Sequence, residues 1–152
     1  MLKTILVAVD GSEQTHTVLL QATEIARCFK AQLHLVSVYD LNQFWATRMP
    51  EPVPDIIESL EAETKKPLED AQQKLESWNV TAQYHFLEGA VIEQIALLAE
   101  EVEADLVVMG HHQASKIRQL LKGSAAKGLI DSSPCSVLIV REKIAPTEEP
   151  SE

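Results

Sequence analysis

The sequence predicts a doubly wound α/β domain on a five-stranded parallel sheet, and three observations carry that prediction. Short β-branched runs alternate with longer segments of helical period, the pattern of βαβ units. The first run, Ile5 to Val9, is apolar without a break, as a strand covered on both faces should be. Glycine and serine stand just beyond the strand candidates, where a parallel sheet presents its ligand-binding edge.

The elements follow in order. Asp10-Gly11-Ser12 stops the first strand and can cap a helix, whose inner face is marked by Val18, Ala22, Ile25 and Phe29. Leu33 to Val38 is the second strand. From Tyr39 to Pro54 the chain is irregular, with Phe44, Trp45 and prolines at 50, 52 and 54; a connection this long suits a lid or an interface. Ile57, Leu60, Leu68, Ala71, Leu75 and Trp78 mark a long helix that Pro67 should kink or restart. Tyr84 to Leu87 is a third strand. Ile92, Ile95, Ala99 and Val102 give a third helix, with Glu100, Glu101 and Glu103 toward solvent. Asp105 to Met109 is the fourth strand, Gly123 to Ile130 a fourth helix, and Ser136 to Val140 the fifth strand. One domain, residues 1–141, precedes a flexible tail, 142–152, that holds two prolines and no apolar period.

Composition narrows the function. The chain has 152 residues and a net charge of −10, with 23 acids against 13 bases. That balance opposes nucleic acid as a main partner, because a duplex binder needs clustered cations to displace counterions. No apolar run reaches the ~20 residues of a spanning helix, and the N-terminus lacks the pattern of a signal peptide. Cys28 and Cys135 stand far apart in no metal-binding spacing, so both are read as small packed hydrophobes in a reducing cytoplasm.

Two strand ends carry the chemistry. One is Asp10-Gly11-Ser12. The other is Gly110-His111-His112-Gln113, leading to Gly123-Ser124. No Asp or Glu occurs between Asp105 and Asp131, although proportion would place about four there. Lys116, Arg118, Lys122 and Lys127 occupy the stretch instead. A positive, glycine-bounded loop feeding a helix N-terminus suits a phosphate, yet the same residues also suit a merely solvated face. GxxxxGK[ST], GxGxxG and GxSxG are all absent, and no spacing places a paired carboxylate or a nucleophile beside a base. His111 and His112 point apart in an extended loop and lack a third ligand, so no metal site is expected. His16, His34 and His85 are read as scattered.

Ala8-Val9-Asp10, Asp105-Leu106-Val107-Val108-Met109-Gly110, Gly123-Ser124 and Ser133-Pro134-Cys135-Ser136-Val137-Leu138-Ile139-Val140 resemble the universal stress protein family, from Lys3 to Val140. The resemblance implies a Rossmann-like fold of the adenine nucleotide alpha hydrolase type, a homodimer and, in one branch, bound ATP. That branch carries Gly, two residues, Gly, nine residues, Gly, then Ser or Thr. Carried over by position, Asp10 would hold the ribose or the adenine edge and Val38 would meet adenine through its backbone. Met109 would line the pocket, while Gly110, Gly123 and Ser124 would donate to phosphates. Ala8, Val9, Gln113, Ala125 and Ala126 complete the implied cofactor-binding set. One position departs: Gln113 stands where the motif has its second glycine, and its Cβ and amide could fill the phosphate space. Gly-His-His-Gln resembles the branch that can lack tightly bound nucleotide.

The expectation is therefore a cytoplasmic stress-response homodimer, paired through Ser136–Val140, that binds ATP, with Mg²⁺ carried on the phosphates, as a regulatory ligand for an unidentified protein partner. A dimeric interaction module without nucleotide is the first alternative. A slow ATPase or phosphotransferase using Ser124 is the second, and nothing in the sequence supplies it with a general base.

Overall fold

The computed structural model describes residues 1–41, 54–111, 113, 133–141 and 150. Five strands and three helices lie within them: β1 (Thr4–Ala8), α1 (Thr15–Phe29), β2 (Gln32–Tyr39), α2 (Pro54–Ser77), β3 (Ala82–Glu88), α3 (Val91–Glu101), β4 (Leu106–Gly110) and β5 (Ser136–Val140). The expected fourth helix, the Phe44-Trp45 loop and all of the expected tail except residue 150 lie outside the described residues. The fold class is the one the sequence predicts.

All pairings are parallel, in the order β3-β2-β1-β4-β5. The chain steps outward from β1 to β2 to β3, then crosses back over both to continue beyond β1. Right-handed crossovers require helices on opposite faces for the two directions of travel. The packing agrees. Ile5, Val7 and Val9 meet α1 and α2 through Val18, Leu19, Ala22, Leu68 and Leu75. Leu6 and Ala8 meet α3 through Ile95, Leu98 and Ala99. Ile5, Leu6 and Val7 have no solvent exposure at all, which explains the unbroken apolar run.

The three helices stop in the same way. Lys30, Asn79 and Glu103 adopt positive φ of 54°, 58° and 56°. The next residue in each case donates its N–H to a carbonyl five positions earlier: Ala31 to Ala26, Val80 to Leu75, and Ala104 to Ala99, at 2.8–2.9 Å. This is the Schellman stop, built here without glycine. It satisfies orphan carbonyls and aims the chain into the next strand.

Two local expectations, on Phe29 and Cys28, are corrected, and two others are made specific. The helix runs through Pro67 as one element rather than restarting there. Phe29 is 52% exposed, because it falls in the last turn of α1, beyond the sheet. Cys28 in the same turn is exposed rather than packed. Cys135 is half-buried against the α3 face, and burial pushes its thiol up.

Asp105 ties the lower ends of two central strands together. Its Oδ2 accepts the backbone N–H of Lys3 at 2.8 Å and of Thr4 at 3.0 Å. Those two bonds hold its carboxyl below the usual range. A lowered carboxyl contributes stability above its unfolded pKa and loses it as pH falls. Asp105→Asn should therefore melt below wild type at pH 7, and the gap should close as pH falls below 3.8, the ordinary value. Thermal denaturation across pH 3 to 7 checks this; a gap independent of pH would mean the carboxylate charge is irrelevant.

Candidate functional site

Strand order reverses beside β1, between β1 and β4, so the carboxyl ends of these strands open the crevice where doubly wound sheets bind ligands. The last registered pairs are Ala8 with Val36 and Val7 with Val108. Continuing each ladder by two residues sets Asp10 level with Val38 and Val9 level with Gly110. The structure thus brings Val9, Asp10, Val38 and Gly110 to one end of the sheet. Ala8, Val38 and Met109 share the α3 face, with Val91 and Leu87 beside them.

The polar groups at this edge are unequally engaged. Val9 N–H donates to Val36 O at 3.0 Å, and its carbonyl accepts Ser37 Oγ at 2.9 Å. Both of its backbone groups are therefore committed to the protein. Asp10 differs. Its Oδ1 accepts Ser12 N–H at 3.0 Å, an Asx turn. Its Oδ2 is buried and meets no donor among the described residues. A buried acceptor left unmade costs ~1–3 kcal/mol, more for a charged group, so such an oxygen marks a place where a donor belongs. The expectation that Asp10-Gly11-Ser12 caps α1 is corrected here. The helix starts at Thr15, its N-cap is Gln14, and no side chain makes the cap bond.

Gly110 and Gln113 divide the work expected of the motif. Gly110 is buried, and a Cβ there would stand 3.0 Å from Gln14 Oε1 and 3.3 Å from Val18 Cγ2. Close packing against the first turn of α1 accounts for this glycine without a ligand. Gln113 is 8% exposed and has helical backbone, so no left-handed conformation calls for glycine at that position. His111 is half-buried; His112, Gly123, Ser124, Ala125 and Ala126 lie outside the described residues, as do Lys116, Arg118, Lys122 and Lys127.

A cleft of about 220 Å³ opens next to this edge, between the start of α1 and the middle of α2. Ser12, Thr15, His16, Pro67, Asp70 and Lys74 line it, whereas Asp10, Val38, Met109 and Gly110 do not. It therefore flanks the crevice without being it. Lys74 Nζ donates to His16 Nδ1 at 2.8 Å, and Trp78 meets the His16 ring edge-on.

Sequence reasoning missed two supports. Ser37 braces the end of β1 through Val9 O. Tyr39, one residue past Val38, donates its hydroxyl to Glu61 Oε1 at 3.0 Å and so joins α2 to the end of β2. Burial first, then the Glu61 and Glu88 carboxylates, push this phenol up to about 12, so it stays a donor at any physiological pH. The signal for Ser37 was a small polar residue between two valines of an apolar strand. Nothing local marked Tyr39.

A family model described as the universal stress protein family matches residues 1–141. A universal stress protein of Methanocaldococcus jannaschii is 30% identical over 140 residues, covering 92% of this chain and 82% of the relative. Among solved structures, a universal stress family protein from Burkholderia pseudomallei superposes with a TM-score of 0.70 at 29% identity, over 92% of this chain and 96% of its own. A universal stress protein in complex with cAMP superposes at 0.66 with 27% identity, over 92% and 97% of the two chains.

The Asp10 turn depends on Gly11. Its φ is +78°, and a Cβ there would lie 2.7 Å from Pro67 Cγ in α2. Gly11→Ala should lower stability by at least ~1–2 kcal/mol from the left-handed backbone alone, with the clash added. Gly110→Ala should be milder, because the atom it meets first is the far end of a flexible glutamine. Chemical denaturation of both variants checks the order; equal or reversed losses would show that Pro67 does not seat the turn.

Proposed function

This chain belongs to the universal stress protein family, and from that premise we propose that it binds an adenine nucleotide, ATP or a close relative, as a regulatory ligand rather than as the substrate of a fast reaction. The observation that carries the reading is Asp10 Oδ2, a buried acceptor at the strand-order reversal without a donor among the described residues. A ribose offers hydroxyl donors and would complete it. Val38 and Met109 would border the base on the apolar α3 face. A related protein 27% identical to this chain has been solved in complex with cAMP, which supports an adenine ligand. Gly123 and Ser124, with Ala125 and Ala126 following, would present donors to the phosphates, and any Mg²⁺ would ride on those phosphates.

The buried Gln113 bears on strength. An amide enclosed beside the expected phosphate position competes with the ligand for space, so this reading expects weaker binding than in a relative with the full glycine motif. The same burial favours one second reading, a nucleotide-free interaction module whose phosphate space is filled by Gln113. Either form would act in the cytoplasm through a protein partner.

Calorimetric titration with Mg-ATP separates the two. Binding in the micromolar range or weaker is expected, about −8 kcal/mol or smaller in magnitude. Asp10→Ala should weaken it by ~0.5–1.5 kcal/mol, more if a buried group is left unpaired, and Gln113→Gly should tighten it. Absence of heat and of thermal stabilisation at millimolar ATP would leave the interaction module. Loss of affinity in Gln113→Gly would mean that the amide contacts nucleotide.

We further propose that the chain pairs with a copy of itself through β5. Among the described residues this strand ends the sheet, with β4 as its one neighbour, and Ile139 is 38% exposed on it. An apolar edge without charge or proline needs a cover, and a two-fold axis provides one on both chains at once. Light scattering should give twice the 16.9 kDa chain mass, and Ile139→Lys should halve it. A monomeric wild type at tens of micromolar would defeat the proposal, and a dimer persisting in the folded variant would move the contact off β5.

A further inference from the structure

The crevice at the upper ends of β1 and β4 leaves unexplained a pair of imidazoles on neighbouring strands. His34 on β2 and His85 on β3 place Nδ1 and Nε2 3.0 Å apart, with ring planes 19° from parallel and centroids 5.3 Å apart. The register sets His34 opposite Gln83 and His85 opposite Val36, so the two rings meet diagonally on the face that α3 covers. His34 is 6% exposed. Among the described residues no third metal-type ligand joins them, so the geometry is that of a hydrogen bond between rings.

A bond of this kind has one proton in it. Neutral imidazoles share it as N–H···N, and a single added proton still leaves one ring as acceptor. A second cannot be accommodated, since both facing nitrogens would then be donors and both rings cationic at contact distance. We propose that the His34–His85 pair is an acid-sensitive latch on the β3 edge: it closes with at most one added proton, and uptake of the second releases β3 and the end of α3.

The charged surroundings are few. From α3, Glu101 acts on His85 and favours its charged form, which assigns the first proton to His85. From β1, the residue registered with His34 is the apolar Leu6, and across the β3 ladder stands the neutral Gln83. Burial, followed by the His85 charge, lowers His34; burial lowers His85 despite Glu101. The latch is therefore fully closed above the ordinary histidine value of 6.5 and weakens as pH falls below it.

The proton count sets the size of the effect. Each proton excluded from the closed state makes opening up to about tenfold more frequent per pH unit, hence ~15-fold between pH 6.5 and 5.0, because the open state is half protonated at the start of that range. Amide exchange of the whole chain, corrected for the intrinsic pH dependence of exchange, should show that increase at β3 and the last turn of α3, and not at β1 or β4. His85→Gln, which keeps a hydrogen-bonding group but cannot charge, should abolish it. Side-chain NMR of the wild type gives an independent reading, with the two rings titrating in two coupled steps lowered from 6.5. Two independent titrations near 6.5, or equal pH dependence at β3 and β1, would overturn the latch.

Discussion

Burial of β1 on both faces from Ile5 to Ala8 is the constraint on which the rest of this structure depends. Ile5, Leu6 and Val7 alternate between two apolar layers, and neither layer can be built without helices on both faces. Helices on both faces require the chain to travel in both directions from β1, and the reversal leaves a crevice beside its carboxyl end. Asp10 leaves the sheet into that crevice with one oxygen held by Ser12 and the other unmet. The location of the site is thus a product of hydrophobic packing, while its chemistry comes from a single carboxylate.

How far the sequence foretold this depends on the range of the interaction. The strand runs were readable because burial on both faces keeps β1 and β4 free of polar interruption, and Ser136–Val140 was placed to the residue. Helix faces were readable in their middles, where Ala71, Leu75, Ile95 and Ala99 are buried, and failed at the ends, where Phe29 runs past the sheet into solvent. Asp10 was identified, but its alternative role as a cap was not realised, since the turn it makes is complete before α1 begins. The pairings of His34 with His85 and of Tyr39 with Glu61 each join residues more than twenty positions apart. No local period encodes such contacts; they exist only once the sheet has been ordered.

The glycines at the two strand ends also separate under physical scrutiny. Gly11 is required by a left-handed backbone and a proline at its back, and Gly110 by the approach of Gln14 and Val18. Both requirements arise from the protein itself. A glycine shared with a nucleotide-binding pattern therefore says less about ligand than its position suggests, and the unmet oxygen of Asp10 says more. Gln113, helical and enclosed, fits the same view: local packing accepts a side chain there without strain.

The way the three helices end has an evolutionary consequence. Lys30, Asn79 and Glu103 each hold a backbone conformation that glycine adopts with far less steric cost. All three stops lie at the opposite end of the sheet from the crevice, at the entries to β2, β3 and β4. A lineage pressed toward greater heat resistance has three positions at which to seek it, one residue at a time and away from Asp10. The domain is thus tunable at its base while the rim of the crevice stays fixed, a separation useful to a fold that must serve cells living under very different conditions.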